Sequence, residues 1–97
     1  MPKQTEARQK FAADLRHVLS DIEDMLLKKN AAYGNSALEP VRIFSTASPV
    51  EQILVRIDDK LSRLQRGHEY QGDDTAKDLL GYLILLEIAK MQGEVAA

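Results

Sequence analysis

Residues 78–91 read DLLGYLILLEIAKM, and this stretch decides the fold. When successive residues are placed 100° apart on a helix, its apolar side chains fall at nearly every angle. A helix that is apolar all round must be covered all round, which favours the interior of a helical bundle. The sequence therefore predicts an all-α protein whose third helix spans about residues 74–92. Asp73 or Asp74 is expected to cap this helix, and Gly93 to follow its end.

Two amphipathic helices precede this stretch. The first is predicted at about residues 5–29, with Asn30 and Gly34 as stop signals. Five of its apolar residues fall within roughly 40° of Ile22 and form a single stripe. The stripe consists of Phe11, Leu15, Val18, Ile22 and Leu26.

The second helix is predicted at about residues 49–66. It begins with a capping pattern in which Ser48 precedes Pro49 and Glu51, and it ends before Gly67. Two helices with narrow apolar stripes cannot cover the third one completely. We therefore expect a second subunit to complete the cover, so that the three-helix chain assembles as a helical-bundle homo-oligomer, a dimer or higher.

Composition and charge exclude several classes of function. The 97 residues suggest one domain, residues 1–97. The chain has no cysteine, which excludes disulfides, thiol catalysis and cysteine-ligated metals. A net charge of −2 argues against direct nucleic-acid binding. The longest apolar run, Leu79–Leu86, is far below the roughly 20 residues of a membrane span, so we expect no membrane partner and a cytoplasmic location.

Charged residues on the second helix form a strip that suits phosphate. Arg56, Asp59, Lys60 and Arg63 gather on one side, and guanidinium and ammonium groups bind phosphate oxygens well. An ordinary surface network is the alternative interpretation of the same strip. Asp21 and Asp24 are three residues apart on the first helix and could share a cation, although a solvated helix face is the favoured interpretation.

Asp78 stands at the start of the apolar third helix, too far inside it to be a cap. A buried carboxylate costs several kcal/mol unless it is paired or bound to a metal, which favours a functional or ion-paired role. Arg56 and Lys60 are its expected partners.

Three elements of the chain resemble a phage and bacterial family called nucleotide modification associated domain 1. Residues 28–36, KKNAAYGNS, resemble its K-K-N-x-x-Y-G-x-S element. Residues 56–64, RIDDKLSRL, resemble its R-x-x-D-K-x-x-R-L helix, and residues 74–82, DTAKDLLGY, its D-T-x-x-D-L-x-N-Y helix. Gly81 stands where that pattern usually has Asn.

That family is in turn similar to the all-helical MazG-type nucleotide pyrophosphohydrolases, which hold magnesium with acidic residues on facing helices. The resemblance implies a single MazG-like domain in which Asp59, Asp74 and Asp78 hold magnesium, with Asp59 and Asp78 catalytic. The MazG-type E-x-x-E and E-x-x-D patterns are absent. The implied nucleotide-binding and phosphate-binding residues are Lys29, Asn30, Tyr33, Asn35, Arg56, Lys60, Arg63 and Tyr82.

Three functions remain open on this basis. One is a magnesium-dependent nucleoside triphosphate pyrophosphohydrolase in phage or bacterial nucleotide metabolism. Another is a module that binds or sequesters a nucleotide without catalysis, which the missing acidic patterns favour. The last is a structural helical oligomer in which the same charges form ion pairs.

Overall fold

A computed structural model describes residues 2–40, 43–67 and 74–96 of the chain. It has three helices: α1 at Pro2–Tyr33, α2 at Pro49–Arg66 and α3 at Thr75–Ala96. No strand occurs in these ranges, and the all-α prediction is confirmed. None of the described helices carries an apolar stretch sufficient to cross a membrane.

α2 has the bounds that its capping residues predict. The Ser48 hydroxyl accepts a hydrogen bond from the backbone N–H of Glu51 at 3.1 Å, and Pro49 opens the helix. Gly67 ends it in the left-handed conformation, with φ of 72°. The N–H of Gly67 donates to two carbonyls of the last turn, so the C-terminal backbone groups are satisfied locally.

α1 is longer than predicted at both ends. Asn30 does not stop it, because the helix continues through Tyr33 and ends where Gly34 and Asn35 both adopt positive φ, at 66° and 63°. The N–H of Asn35 donates to the carbonyl of Asn30 at 3.2 Å, which closes the last turn. Two consecutive left-handed residues therefore end this helix, and the first of them is a glycine, which has no Cβ to oppose that conformation.

α3 also extends beyond its predicted end, through Gly93 to Ala96. At its start, the Asp74 carboxylate accepts a hydrogen bond from the backbone N–H of Lys77 at 3.0 Å, so Asp74 acts as the cap. The alternative cap, Asp73, lies outside the described residues.

The main core lies between α2 and α3. Ile53 and Ile57 of α2 pack with Leu86 and Ala89 of α3, and all four are buried. Partly buried apolar side chains surround them, namely Leu38, Val50, Leu79, Tyr82 and Leu85. α1 packs on α3 and makes no backbone approach to α2 in the described residues.

Gly81 sets the approach of α1 to α3. A Cβ at this position would lie 2.9 Å from the Met25 methyl carbon and 3.2 Å from a methyl of Leu26. The missing side chain therefore lets α1 lie close to α3. An asparagine, which the resembled pattern has here, would require Met25 to move.

The apolar stripe of α1 is covered only towards its C-terminal end. Ile22 is 3% exposed, whereas Phe11, Leu15 and Val18 are 66%, 45% and 49% exposed. The radius of gyration is 16.7 Å, compared with about 12.5 Å for a compact chain of this length. The apolar side chains in the first half of α1 are therefore exposed to solvent in the described structure.

We expect Ile53→Ala to lower the free energy of unfolding by about 2–5 kcal/mol, because it opens a cavity in the α2–α3 core. Val55→Ala, at an exposed position of the same helix, should cost less than about 1 kcal/mol. Urea unfolding followed by circular dichroism measures both, and Ile53→Val, with an expected loss of about 0.5–1.5 kcal/mol, serves if the alanine variant does not fold. Equal losses for Ile53→Ala and Val55→Ala would contradict the assigned core.

Candidate functional site

A cavity of about 400 Å³ lies where the C-terminal end of α1, the first half of α2 and the first turns of α3 meet. Its walls come from all three helices and from the turn after α1. The lining residues are Met25, Leu26, Lys29, Asn30, Tyr33, Asn35, Ser36, Ala37, Gln52, Ile53, Arg56, Asp78, Gly81, Tyr82 and Leu85. We refer to this cavity as the three-helix pocket.

Asp78 joins the three helices by two ion pairs. One carboxylate oxygen lies 3.2 Å from the Lys29 ammonium of α1, and the other lies 3.4 Å from the Lys60 ammonium of α2. The Asp78 and Lys60 side chains are only 21% and 15% exposed, and Lys29 is 48% exposed. The predicted pairing with Lys60 is present, and Lys29 is a second partner that the sequence did not indicate.

Arg56 is the other partner predicted for Asp78. It lines the three-helix pocket but makes no ion pair within the described residues. Its guanidinium is therefore available at the pocket. Among the charged residues that line the pocket, Lys29 and Arg56 are positive and Asp78 is negative, so the lining carries one positive charge in excess. Lys60 lies outside the lining and adds a further cation beside Asp78.

A rigid polar turn forms one side of the pocket. The Asn30 amide donates to the Asn35 side-chain oxygen at 2.6 Å, across the two left-handed residues that end α1. The Asn35 carbonyl in turn accepts from the N–H groups of Leu38 and Glu39. This network holds both asparagine side chains at the pocket wall.

Two tyrosines add aromatic surface to the pocket. Tyr33, in the last turn of α1, is 69% exposed, whereas Tyr82 of α3 is partly buried against the α2–α3 core. Tyr33 therefore offers a free ring face beside the polar turn, and Tyr82 forms part of the inner wall.

Four of the predicted site residues do not line the pocket. Lys60 is one of them, although it contacts the pocket residue Asp78. Asp59 is exposed on α2, and Asp74 caps α3. Arg63 shares the helix face of Arg56 but lies about 10 Å farther along α2, since a helix rises 1.5 Å per residue. Asp78 therefore lines the pocket, whereas the side chains of Asp59, Asp74 and Arg63 do not.

Of the three predicted magnesium ligands, Asp59, Asp74 and Asp78, only Asp78 lines the pocket. It is the one carboxylate of the lining among the described residues, and it already contacts two ammonium groups. No group of three acidic or histidine side chains suited to a metal occurs in residues 2–40, 43–67 and 74–96. A magnesium ion here would need ligand phosphates and water for most of its six oxygen positions.

Gln52 is a pocket residue that the sequence analysis missed. Its amide donates to the carbonyl of Ala47 at 3.0 Å, which ties α2 to the segment before it. The spacing of Gln52 four residues before Arg56 places both on one helix face, and this signal was available in the sequence. The Lys29–Asp78 contact, across 49 residues, had no such signal.

Comparisons with protein-family models, with curated proteins and with solved structures find no match for this chain. Each of the three sequence elements nevertheless contributes to one pocket: Lys29 and Asn30 from the first, Arg56 from the second, Asp78 and Tyr82 from the third. What the pocket binds must therefore be inferred from its own side chains.

We expect Asp78→Asn to lower the free energy of unfolding by about 1–3 kcal/mol, because it leaves two ammonium groups without their shared carboxylate. Asp14→Asn is the matched control, since the Lys10–Asp14 pair has a similar distance of 3.0 Å but is largely exposed. That variant should lose less than about 1 kcal/mol. Denaturant unfolding measures both, and an equal effect of the two substitutions would contradict a structural role of Asp78.

Proposed function

We propose that the three-helix pocket binds a nucleotide. The observation that carries this proposal is the excess of positive charge at the pocket, where Lys29 and Arg56 face one carboxylate that Lys60 also contacts, beside a polar turn. Guanidinium and ammonium groups bind phosphate oxygens through charge-assisted hydrogen bonds, and arginine does so in a bidentate manner.

The remaining pocket residues suit the base and sugar. Asn30 and Asn35 present amide groups that are both donors and acceptors, and the exposed Tyr33 ring offers a face on which a base stacks. A volume of about 400 Å³ lies within the range of small-molecule sites, about 300–1,000 Å³. The resemblance to nucleotide modification associated domain 1 supports the same ligand class and a role in phage or bacterial nucleotide metabolism.

Binding without turnover is favoured over magnesium-dependent pyrophosphohydrolysis. The reason is that Asp78, the one described carboxylate at the pocket, is held by two ammonium groups. Asp59 and Asp74, which the resemblance implies as further magnesium ligands, face elsewhere. The residues of this chain therefore bind and orient phosphate by their own positive charge.

Binding is measured by calorimetry and by the shift of the unfolding temperature with mono-, di-, tri- and cyclic nucleotides. We expect at least one class to stabilise the protein, by about 2.7 kcal/mol at a concentration of 100 times Kd. Arg56→Gln should weaken that ligand by a factor of about 10–100, as loss of a charged hydrogen bond does. Arg63→Gln is the control on the same helix face and should change Kd by less than about twofold, because it lies outside the pocket.

Two results would contradict this assignment. If no nucleotide stabilises the protein, the chain is instead a structural helical oligomer. If Arg63→Gln weakens binding as much as Arg56→Gln, the ligand lies along α2 and not in the three-helix pocket.

Turnover is tested by release of pyrophosphate from nucleoside triphosphates in magnesium or in EDTA. We expect binding to persist in EDTA, because the pocket supplies its own positive charge, and we expect no sustained release in magnesium. Magnesium-dependent release that is lost in Asp78→Asn, measured under conditions where this variant is folded, would establish the hydrolase in place of the binding module.

We also propose that the working unit is a homo-oligomer. Leu80, Leu83 and Met91 of α3 are 46%, 42% and 58% exposed, although they belong to the most apolar helix of the chain. Covering them with another subunit would remove this apolar surface from water.

A further inference from the structure

Several apolar side chains of the described chain are exposed, including Leu54, Leu61 and Leu64 of α2, and two larger apolar surfaces lie on α1 and α3. One is the exposed part of the α1 stripe, formed by Phe11, Leu15, Val18 and the adjacent Leu19; we call it the α1 ridge. The other is the α3 outer face, formed by Leu80, Leu83, Ile84, Glu87, Ile88 and Met91. Neither surface lines the three-helix pocket.

The α3 outer face lies opposite the side of α3 that packs on α2. At 100° per residue, Leu80, Ile84 and Met91 point about 180° away from Ala89 and its neighbours in the core. These side chains border a shallow groove of about 370 Å³ whose lining is apolar except for Glu87. The prediction that α3 is apolar all round thus corresponds to one covered face and one open face.

The α1 ridge matches this groove in length. Residues 11–19 extend about 12 Å along α1, and residues 80–91 extend about 16 Å along α3. The side chains of Phe11 and Leu19 are 66% and 53% exposed, so the ridge projects from the molecule. The two apolar surfaces are thus of similar length, and the α3 outer face is open enough for a projecting row of side chains to lie along it.

The surface area of the chain calls for a large interface. The accessible surface is 7893 Å², whereas a compact monomer of 10.9 kDa has about 5,600 Å². The excess is about 2,300 Å², and a standard protein interface buries about 800 Å² on each partner. One standard interface between two copies therefore buries about a third of the excess of each copy.

The charges at the two surfaces are complementary. Glu87 is the one charged residue among those that border the groove, and its contact with Lys90 is long, at 3.7 Å. Arg8 lies one turn before the α1 ridge and only 60° around the helix from Phe11, and its side chain is exposed. Asp14 also borders the α1 ridge but is paired with Lys10 at 3.0 Å, whereas Arg8 has no ion pair within the described residues and is the cation beside the ridge that remains for Glu87.

We propose that the α1 ridge of one copy packs into the α3 outer face of a second copy, and that the second copy returns the same contact about a two-fold axis. Both surfaces belong to one chain, so a reciprocal exchange covers all four of them with a single symmetric interface. This inference rests on the proposed homo-oligomer and goes beyond it by assigning the two surfaces that meet.

The first experiment measures mass by sedimentation and light scattering. We expect a dimer of about 22 kDa, twice the 10.9 kDa of the chain. Val18→Glu should raise the dimer Kd at least 100-fold, because it places a carboxylate in the apolar contact. Val55→Glu is the matched control: Val55 is a similarly exposed apolar residue on α2, at 57%, and its substitution should leave the dimer intact. Circular dichroism verifies that both variants are folded.

The second experiment uses the absence of cysteine from the chain. Leu15→Cys and Leu83→Cys copies that carry different tags are mixed and oxidised. We expect a mixed disulfide between the two tags, since only the ridge-in-groove contact brings these positions together. Val55→Cys mixed with Leu83→Cys is the control and should give no mixed product above background.

The outcomes distinguish two claims: that the chain forms a homo-oligomer, and that the α1 ridge and the α3 outer face are the surfaces that meet in it. A monomer at micromolar concentration would overturn both and indicate that another protein segment covers these surfaces. An oligomer that survives Val18→Glu and forms no Leu15–Leu83 cross-link would overturn the surface assignment and leave the oligomer standing. Nucleotide binding by the unmodified chain is measured separately and bears on neither result.

Discussion

The two ion pairs of Asp78 are the contact on which the arrangement of the three helices depends. α1 packs only on α3 within the described residues, so Lys29 and Asp78 fix where the end of α1 meets the start of α3. Lys60 fixes α2 to the same carboxylate. A partly buried carboxylate of this kind is stable only with its cations, and those cations then remain positioned beside the cavity. The ion pairs that connect all three helices at one carboxylate thus also give the three-helix pocket its charge.

Local signals in the sequence predicted α2 well, because its ends are set by side chains one to three residues away. Ser48 and Gly67 act as the pattern required. The ends of α1 and α3 were placed too early, since Asn30 and Gly93 are tolerated inside helices when nothing nearby forces the backbone to leave the helix. The contacts between helices were harder to predict. The position of Lys60 on α2 indicated that it pairs with Asp78. No residue near Lys29 indicates that α1 packs on α3 at Asp78, so this second ion pair was not predicted.

The site was likewise predictable in part. Lys29, Asn30, Tyr33, Asn35, Arg56, Asp78 and Tyr82 all line the pocket, and they come from three separated elements. Asp59 and Arg63 belong to the same charged strip of α2 but lie outside the pocket. Helical spacing predicts which face of α2 a residue occupies. It does not predict at which turn of α2 a neighbouring helix packs. Gly81 shows the same limit, since only the crossing of α1 at Met25 explains why a side chain is missing there.

α1 is a continuous helix of 32 residues, about 48 Å long, and both of its ends have something to contact. Its last turns form a wall of the pocket, and its first half carries the α1 ridge. A rod of this kind behaves as a lever: a rotation of a few degrees at the pocket moves the far end by ångströms. The proposed ligand and the proposed second copy therefore contact the same continuous helix near its two ends, and any coupling between them would act equally in both directions.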